Sequence, residues 1–333
     1  MAQGSAKAVY AAIAANGFVM VAKFVAFALS GSPALLSEGI HSLADVGNQS
    51  LLAFGMRSSA APATAQFPYG YQRDRFVWAL VSAVGIFFLG CGVTVYHGVD
   101  SLLHPHPPTA SLWLTAGVLV LSAVIEGASL LVAVREVRVQ AAGRPLRQFL
   151  AETDDPLAAS VLLEDVAAIT GVLLALVGVL VTHLTGSPAF DALASIAIGL
   201  LLGGVAIILV RRNRELLLGT TPSPELVDRA MDVLRSDPTV ERLLRVKAVV
   251  LGSDEVHFKA EVEFDGHEIA RRCLADADLE ARWAELAGPD DLRRALVEFG
   301  DQVIEALGDE VDRLEQRLGE AVPDMTHVDL EAD

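Results

Sequence analysis

The chain has 333 residues, with 25 Lys and Arg against 42 Asp and Glu for a formal net charge of −17, and a mean hydropathy of +0.45. That hydropathy is high for a soluble protein of this size, so the length suits a membrane bundle plus one small soluble domain. The acid excess argues against nucleic acid as a partner, because phosphate binding needs the opposite sign. Two cysteines, Cys91 and Cys273, make neither a disulfide framework nor a thiolate metal cluster.

Apolar stretches of spanning length occur at about 9–29, 34–56, 76–98, 111–134, 157–182 and 190–210. The first is too long for an ordinary signal peptide and ends in no clear cleavage site, so it reads as a retained transmembrane helix. It holds Asn16 and Lys23. Lys23 either snorkels to an interface or partners a buried acid, and Asn16, seven residues earlier on roughly the same face, is in reach of polar groups on the second span. The second span carries Glu38, His41, Asp45 and Asn48, spaced by three, four and three residues and therefore aligned on one helical face. Such groups at mid-membrane depth cost several kcal/mol each unless they face a pathway or a partner. Hydrogen bonding between helices would explain the stripe blandly, but a histidine and an aspartate at i, i+4 can both ligate one ion. Glu126 in the fourth span needs a buried partner or water and is placed near the pathway; Glu164 and Asp165 form a second acidic spot in the fifth.

The connectors sort their arginines. Arg57, Arg73 and Arg75 fall in the 57–75 connector, Arg135, Arg138, Arg144 and Arg147 in 135–147, and Arg211, Arg212 and Arg214 at the exit of the sixth span, while 30–33, 99–110 and 183–189 have no Lys or Arg. By the positive-inside rule this predicts an even span count with both termini cytoplasmic. Residues 1–219 hold 12 Lys and Arg against 13 Asp and Glu, and 220–333 hold 13 against 29. That charge break puts a domain boundary near Gly219, and the expected division is 1–215 for the bundle and 216–333 for an acidic cytoplasmic domain. In the second part the pattern predicts an amphipathic helix after Thr220, strands over 241–251 and 255–264, a helix or helices over roughly 267–287, a longer helix over 290–318, and an edge strand within 325–332. The whole is a two-layer α+β unit.

Taken together, LLSEGIHSLADVGNQ at 35–49, FPYGYQRDR at 67–75, LLEDVAAITGVLLAL at 162–176 and GSPAFDALASIAIGLLLG at 186–203 resemble the cation diffusion facilitator family of proton-coupled divalent-metal antiporters. The likeness is greatest to the branch that includes the animal mitochondrial zinc transporter and its bacterial relatives. The resemblance implies six transmembrane helices, a ferredoxin-like cytoplasmic domain, a homodimer in a lipid bilayer, and export of Zn²⁺ from the cytoplasm in exchange for H⁺. A bacterial inner membrane is the expected location.

The family's ligand positions on the second span fall on His41 and Asp45, and on the fifth on Asp165 and Val161. Valine cannot ligate. Glu164 is the nearest replacement but stands about 100° round the helix from Asp165, leaving water, Asn16, Asn48 or Glu38 to complete the shell. Histidine with carboxylates suits Zn²⁺, a more oxygen-rich shell suits Mn²⁺, and competition between protons and metal for the same ligands supplies coupling. His257 and the His327/Asp329 pair fall near the family's regulatory metal positions, and His97, His104 and His106 lie in or beside an outer connector. The alternatives are a manganese, cobalt or iron exporter of the same fold, and a non-transporting, metal-sensing membrane scaffold.

Overall fold

The computed structural model describes residues 2–105, 112–140, 156–252, 255–275 and 277–333. The chain folds as two compact units, Met1–Leu218 and Gly219–Asp333.

The first unit is helical. Its long helices among the described residues are α1 (Ala2–Ser30), α2 (Pro33–Ser59), α3 (Asp74–Leu103), α4 (Leu112–Gln140), α5 (Pro156–Thr185) and α6 (Ala189–Leu218). Four of them, α3 to α6, are long and apolar enough to cross a membrane; in α1 the apolar part is the shorter Asn16–Ser30. The helices outrun the apolar stretches. Arg135 and Arg138 lie on the last turns of α4, and Arg211, Arg212 and Arg214 within α6, rather than in connectors. Arg144 and Arg147 lie outside the described residues.

Local chemistry sets the turns. Gly31 and Gly186 take positive φ, 67° and 73°, and their N–H groups close back on Phe27 O and Thr182 O at 2.7 and 2.8 Å. Glycine ends a helix this way without a Cβ clash. Ser32 then caps α2, its hydroxyl accepting from Leu35 N at 3.3 Å, with Pro33 in the first turn. The third span departs from a plain helix: Ile86–Val93 is a π-helical segment inside α3. Gly90 and Gly98 of α3 and Gly199 and Gly203 of α6 let these two helices approach closely; a Cβ on Gly199 would meet Val95 at 2.7 Å. Ala26, Leu35, Leu119, Val172 and Ile198 form a buried core drawn from five helices, and it is beside this core that the polar side chains described below are held.

The second unit holds α7 (Pro224–Arg235), β1 (Val240–Gly252), β2 (Glu255–Phe264), α8 (Gly266–Ala275), α9 (Leu279–Ala284), α10 (Pro289–Ala321) and β3 (His327–Ala332). The sheet has the order β1-β2-β3, with β1 antiparallel and β3 parallel to β2. Alternation along β2 buries Val256, Phe258, Ala260 and Val262 against Leu226 and Leu234 of α7 and Leu314 and Leu318 of α10, as a half-buried strand requires. The helical stretch expected over 267–287 comprises α8, ending at Ala275, and α9, starting at Leu279, where Asp278 caps α9 by accepting from Ala281 N. Asp237 is nearly buried and accepts from Arg313 at 2.8 Å, Arg317 at 2.5 Å and Thr239 at 2.8 Å. Burial alone would raise its pKa, but these bonds hold its carboxyl at about 2.

Candidate metal centre

α2 presents its polar face to the inside of the helical unit. Glu38 and His41 are 0% and 2% exposed, and His41 Nε2 stands 3.3 Å from Asp45 Oδ2, one turn along. Neither ring nitrogen of His41 has a hydrogen-bond partner. The imidazole is thus a buried donor pair beside a carboxylate, with its coordinating capacity unspent.

One helical turn away lies an ionic cluster. Lys23 is fully buried, so the snorkelling alternative is overturned. Its ammonium donates to Glu38 Oε2 at 2.8 Å, to Ser42 Oγ at 3.0 Å and to Glu126 Oε1 at 2.7 Å. An ammonium has three donors, and all three are used. Burial of a charge demands this degree of satisfaction, and the cluster ties α1, α2 and α4 together. Asn16 has no hydrogen bond to the polar stripe among the described residues, so its expected reach to the second span is not realised.

On α5 the two acidic neighbours point to different helices. Glu164 Oε2 accepts from Asn48 Nδ2 of α2 at 2.6 Å, and Asn48 Oδ1 in turn accepts from Ser82 Oγ of α3 at 2.7 Å. Asp165 Oδ2 accepts from Ser129 Oγ of α4 at 3.2 Å. The 100° step between consecutive helical residues sends Glu164 toward α2 and Asp165 toward α4, with both close enough to Asp45 for their charges to interact. Among the described residues no three His, Cys, Asp or Glu side chains are gathered tightly enough to hold an ion. The α2 pair is assembled; the α5 carboxylates are held beside it by neighbours. The side chain of Val161 lies outside the described residues. Ser42, Ser82 and Ser129 were not anticipated, although Ser129 follows Glu126 by three residues and so shares its helical face.

In the second unit, parallel pairing sets His257 opposite His327. Their ring centroids are 6.3 Å apart, and His257 Nε2 meets Asp329 Oδ2 at 2.7 Å. Lys259 is registered against Asp329 and donates to Glu331 at 2.5 Å, which places a fixed positive charge beside the same acids. His104 pairs with Asp100 at 3.0 Å on an exposed turn, and His106 lies outside the described residues.

The cation efflux transmembrane domain matches residues 9–218, the helical unit that holds His41, Asp45 and the α5 carboxylates. The chain belongs to the cation efflux family. It is 42% identical over 334 residues to the mouse "Proton-coupled zinc antiporter SLC30A9, mitochondrial", covering 99% of this chain and 59% of that protein, and matches its human counterpart equally. It is 40% identical over 339 residues to metal tolerance protein C4 of Arabidopsis thaliana, covering 99% of this chain and 74% of the plant protein. The chain therefore spans about three-fifths of the length of these animal relatives. The expectation of a bacterial inner membrane is overturned, since the animal relatives carry a mitochondrial designation. Arginine asymmetry orients a chain relative to a bilayer and carries no information on which membrane that is. A multi-pass membrane protein stands.

Proposed function

We propose that this protein is a proton-coupled antiporter of divalent metal cations with Zn²⁺ as its substrate, and that His41, Asp45 and Asp165 bind the ion with Glu164 alongside. The observation that carries this reading is buried His41 beside half-buried Asp45, Nε2 and Oδ2 3.3 Å apart, with neither imidazole nitrogen in a hydrogen bond. Structural hydrogen bonding would consume those nitrogens; ligation uses them. The names of the animal relatives support zinc and proton coupling, and so does the donor set, one imidazole with carboxylates. The carboxylate-rich surroundings also suit Mn²⁺, which competes as a second substrate.

Ligation in this reading draws the α5 carboxylates toward Asp45, exchanging the Asn48–Glu164 and Ser129–Asp165 bonds for bonds to the ion. Protons take the place of the metal on the same groups. All six long helices cross the bilayer, with α1 and α2 admitted despite their polar groups because those groups face inward. The acidic unit, with a three-stranded sheet among the described residues, is a cytoplasmic ferredoxin-like domain and joins a homodimer. His257, His327 and Asp329 bind a regulatory ion there, displacing the His257–Asp329 contact.

Purified protein in vesicles loaded with a zinc-sensitive dye tests the central claim. An imposed pH gradient, with no zinc gradient, should drive zinc across the membrane, and a protonophore should stop it. A wild-type protein that moves none of Zn²⁺, Mn²⁺, Co²⁺ or Fe²⁺ would make transport the wrong reading and favour the scaffold.

A further inference from the structure

Beside the arginine-free connectors 30–33 and 183–189, a cavity of about 50 Å³ opens among Ser30, Ser32, Thr115, Thr182, His183 and Asp191. That volume exceeds what one water needs and admits a cation with a water. Asp191 closes the cavity. It is 5% exposed; its carboxyl is held by the Ser32 hydroxyl, which donates to Oδ2 at 2.6 Å, and by the backbone of Ala34, while Oδ1 has no close hydrogen-bond partner. A buried carboxylate oxygen without a close donor is unfavourable and is expected to take up a proton, a water or a cation. The surrounding hydroxyls are already acting as acceptors: Thr182 Oγ1 takes Asp191 N–H at 3.0 Å, and Ser30 Oγ takes Ser32 N–H at 3.1 Å. The cavity is thus lined by groups able to ligate a cation: one carboxylate oxygen, hydroxyl oxygens and the His183 imidazole. This is a donor set that wants a positive charge.

A line of polar contacts joins this cavity to the His41 level. Ser32 meets Asp191, and just over one turn further along α2 Ser37 Oγ meets Ser195 Oγ at 2.5 Å. Next comes Glu38, whose second oxygen occupies the space beside Gly171, where an added Cβ would lie 2.5 Å from it. Ser32 and His41 are nine residues apart, about 13.5 Å along the helix. Polar contacts over that length are costly in an apolar bundle unless they serve a path.

We propose that the cavity closed by Asp191 is a second cation site, binding the divalent ion between the His41 level and the arginine-free end of the helical unit. The role in the path rests on the antiport reading above; the cation site itself does not. One carboxylate and one imidazole among hydroxyls make a weaker set than the His41 group, which is what an ion in transit requires.

Isothermal titration with Zn²⁺ on the full chain tests the site, in a His41→Ala/Asp45→Ala/His257→Ala/His327→Ala background that silences the two other proposed centres. That background should bind one Zn²⁺ weakly, Asp191→Asn should weaken the remaining binding at least tenfold, and His183→Ala at least threefold. Asn keeps an oxygen for the Ser32 hydroxyl, so helix content and elution volume should match the background. If Asp191→Asn does not fold, the exposed His183 carries the test alone. A background that binds no Zn²⁺, or binding unchanged by these substitutions, overturns the site. Wild-type vesicles that move no divalent ion, while Asp191-dependent binding persists, would refute the antiport reading and the transit role and leave the cation site standing.

Discussion

Replacing Lys23 with methionine should cost this protein much of its stability. Methionine keeps the length and apolar stem of lysine but removes the charge and all three donors, leaving Glu38 and Glu126 buried with no ammonium between them. Breaking a buried ion pair by removing one partner costs about 3–5 kcal/mol, because the remaining charge stays uncompensated. Here one substitution strands two carboxylates at 0% and 9% exposure, so Lys23→Met should sit toward the upper end, about 4–5 kcal/mol. Lys23→Met/Glu38→Gln/Glu126→Gln removes every charge in the cluster and should return to within about 2 kcal/mol of wild type, since replacing a whole buried ionic group is often near neutral. Reversible unfolding of the detergent-solubilised protein, followed by helical circular dichroism, measures both. A Lys23→Met protein within about 1 kcal/mol of wild type would mean the two carboxylates reach water or other donors, and the account of the cluster would be wrong.

His41→Ala and Asp45→Ala should each reduce zinc flux in vesicles at least tenfold while leaving helix content unchanged; near-normal flux in His41→Ala would remove the α2 face from the site. Asp165→Asn should weaken zinc binding at least tenfold and Glu164→Gln several-fold, as measured by titration calorimetry; a metal-bound structure with Glu164 coordinated and Asp165 turned away would reverse that order. In the second unit, the Asp237 carboxyl drops from an ordinary 3.8 to about 2 on folding, a stabilisation of roughly 2 kcal/mol at 1.36 kcal/mol per unit. A depressed folded value contributes fully above the unfolded value and is lost as pH falls through the folded one. Asp237→Asn should thus be less stable than wild type at pH 7 by about 2 kcal/mol, the gap closing between about pH 4 and pH 2 in thermal melts; a gap that does not change with pH would assign the loss to something other than the ionised carboxylate.

The His41–Asp45 pair could be read from the sequence because both residues lie on one helix, where a spacing of four fixes their proximity. The sequence left Lys23 between snorkelling and a buried partner, and the partner could not be read: Glu126 stands 103 residues away, and the register between two helices is set by side-chain packing that no local pattern encodes. The same limit separates Glu164 from Asn48, 116 residues apart. Span ends at 134 and 210 marked where hydropathy stops, whereas α4 and α6 run on to Gln140 and Leu218. Hydropathy measures the apolar depth, and an arginine such as Arg138 or Arg211 ends that depth without breaking a helix. The π-helical segment at 86–93 had no signal at all, since IFFLGCGV is apolar throughout apart from its glycines and cysteine and offers no period to misalign. In the second unit β2 was plain because its two faces differ in chemistry. The parallel placing of β3, which sets His257 against His327, depended on how α8 to α10 return the chain.

The acids inside the helical unit place a condition on any ion exchange there. Glu38, Asp45, Glu126, Glu164 and Asp165 face one ammonium, that of Lys23, among the described residues. Lys23 is held by Glu38 and Glu126, so its charge is committed to the α1–α2–α4 side. Asp45, Glu164 and Asp165 are left with His41 and with neutral donors from Asn48 and Ser129. A divalent ion arriving at His41 and Asp45 supplies two positive charges to a region that has none of its own. When the ion leaves, the same region must regain positive charge or hold its carboxylates against one another in a poorly solvated interior, where charges interact far more strongly than in water. Protons meet that need without any added space, because they bind the same oxygens and nitrogens that the metal vacates. In the antiport reading proposed above, coupling would follow from the unequal division of one lysine among five acids, and would require no proton carrier beyond the side chains already facing the ion.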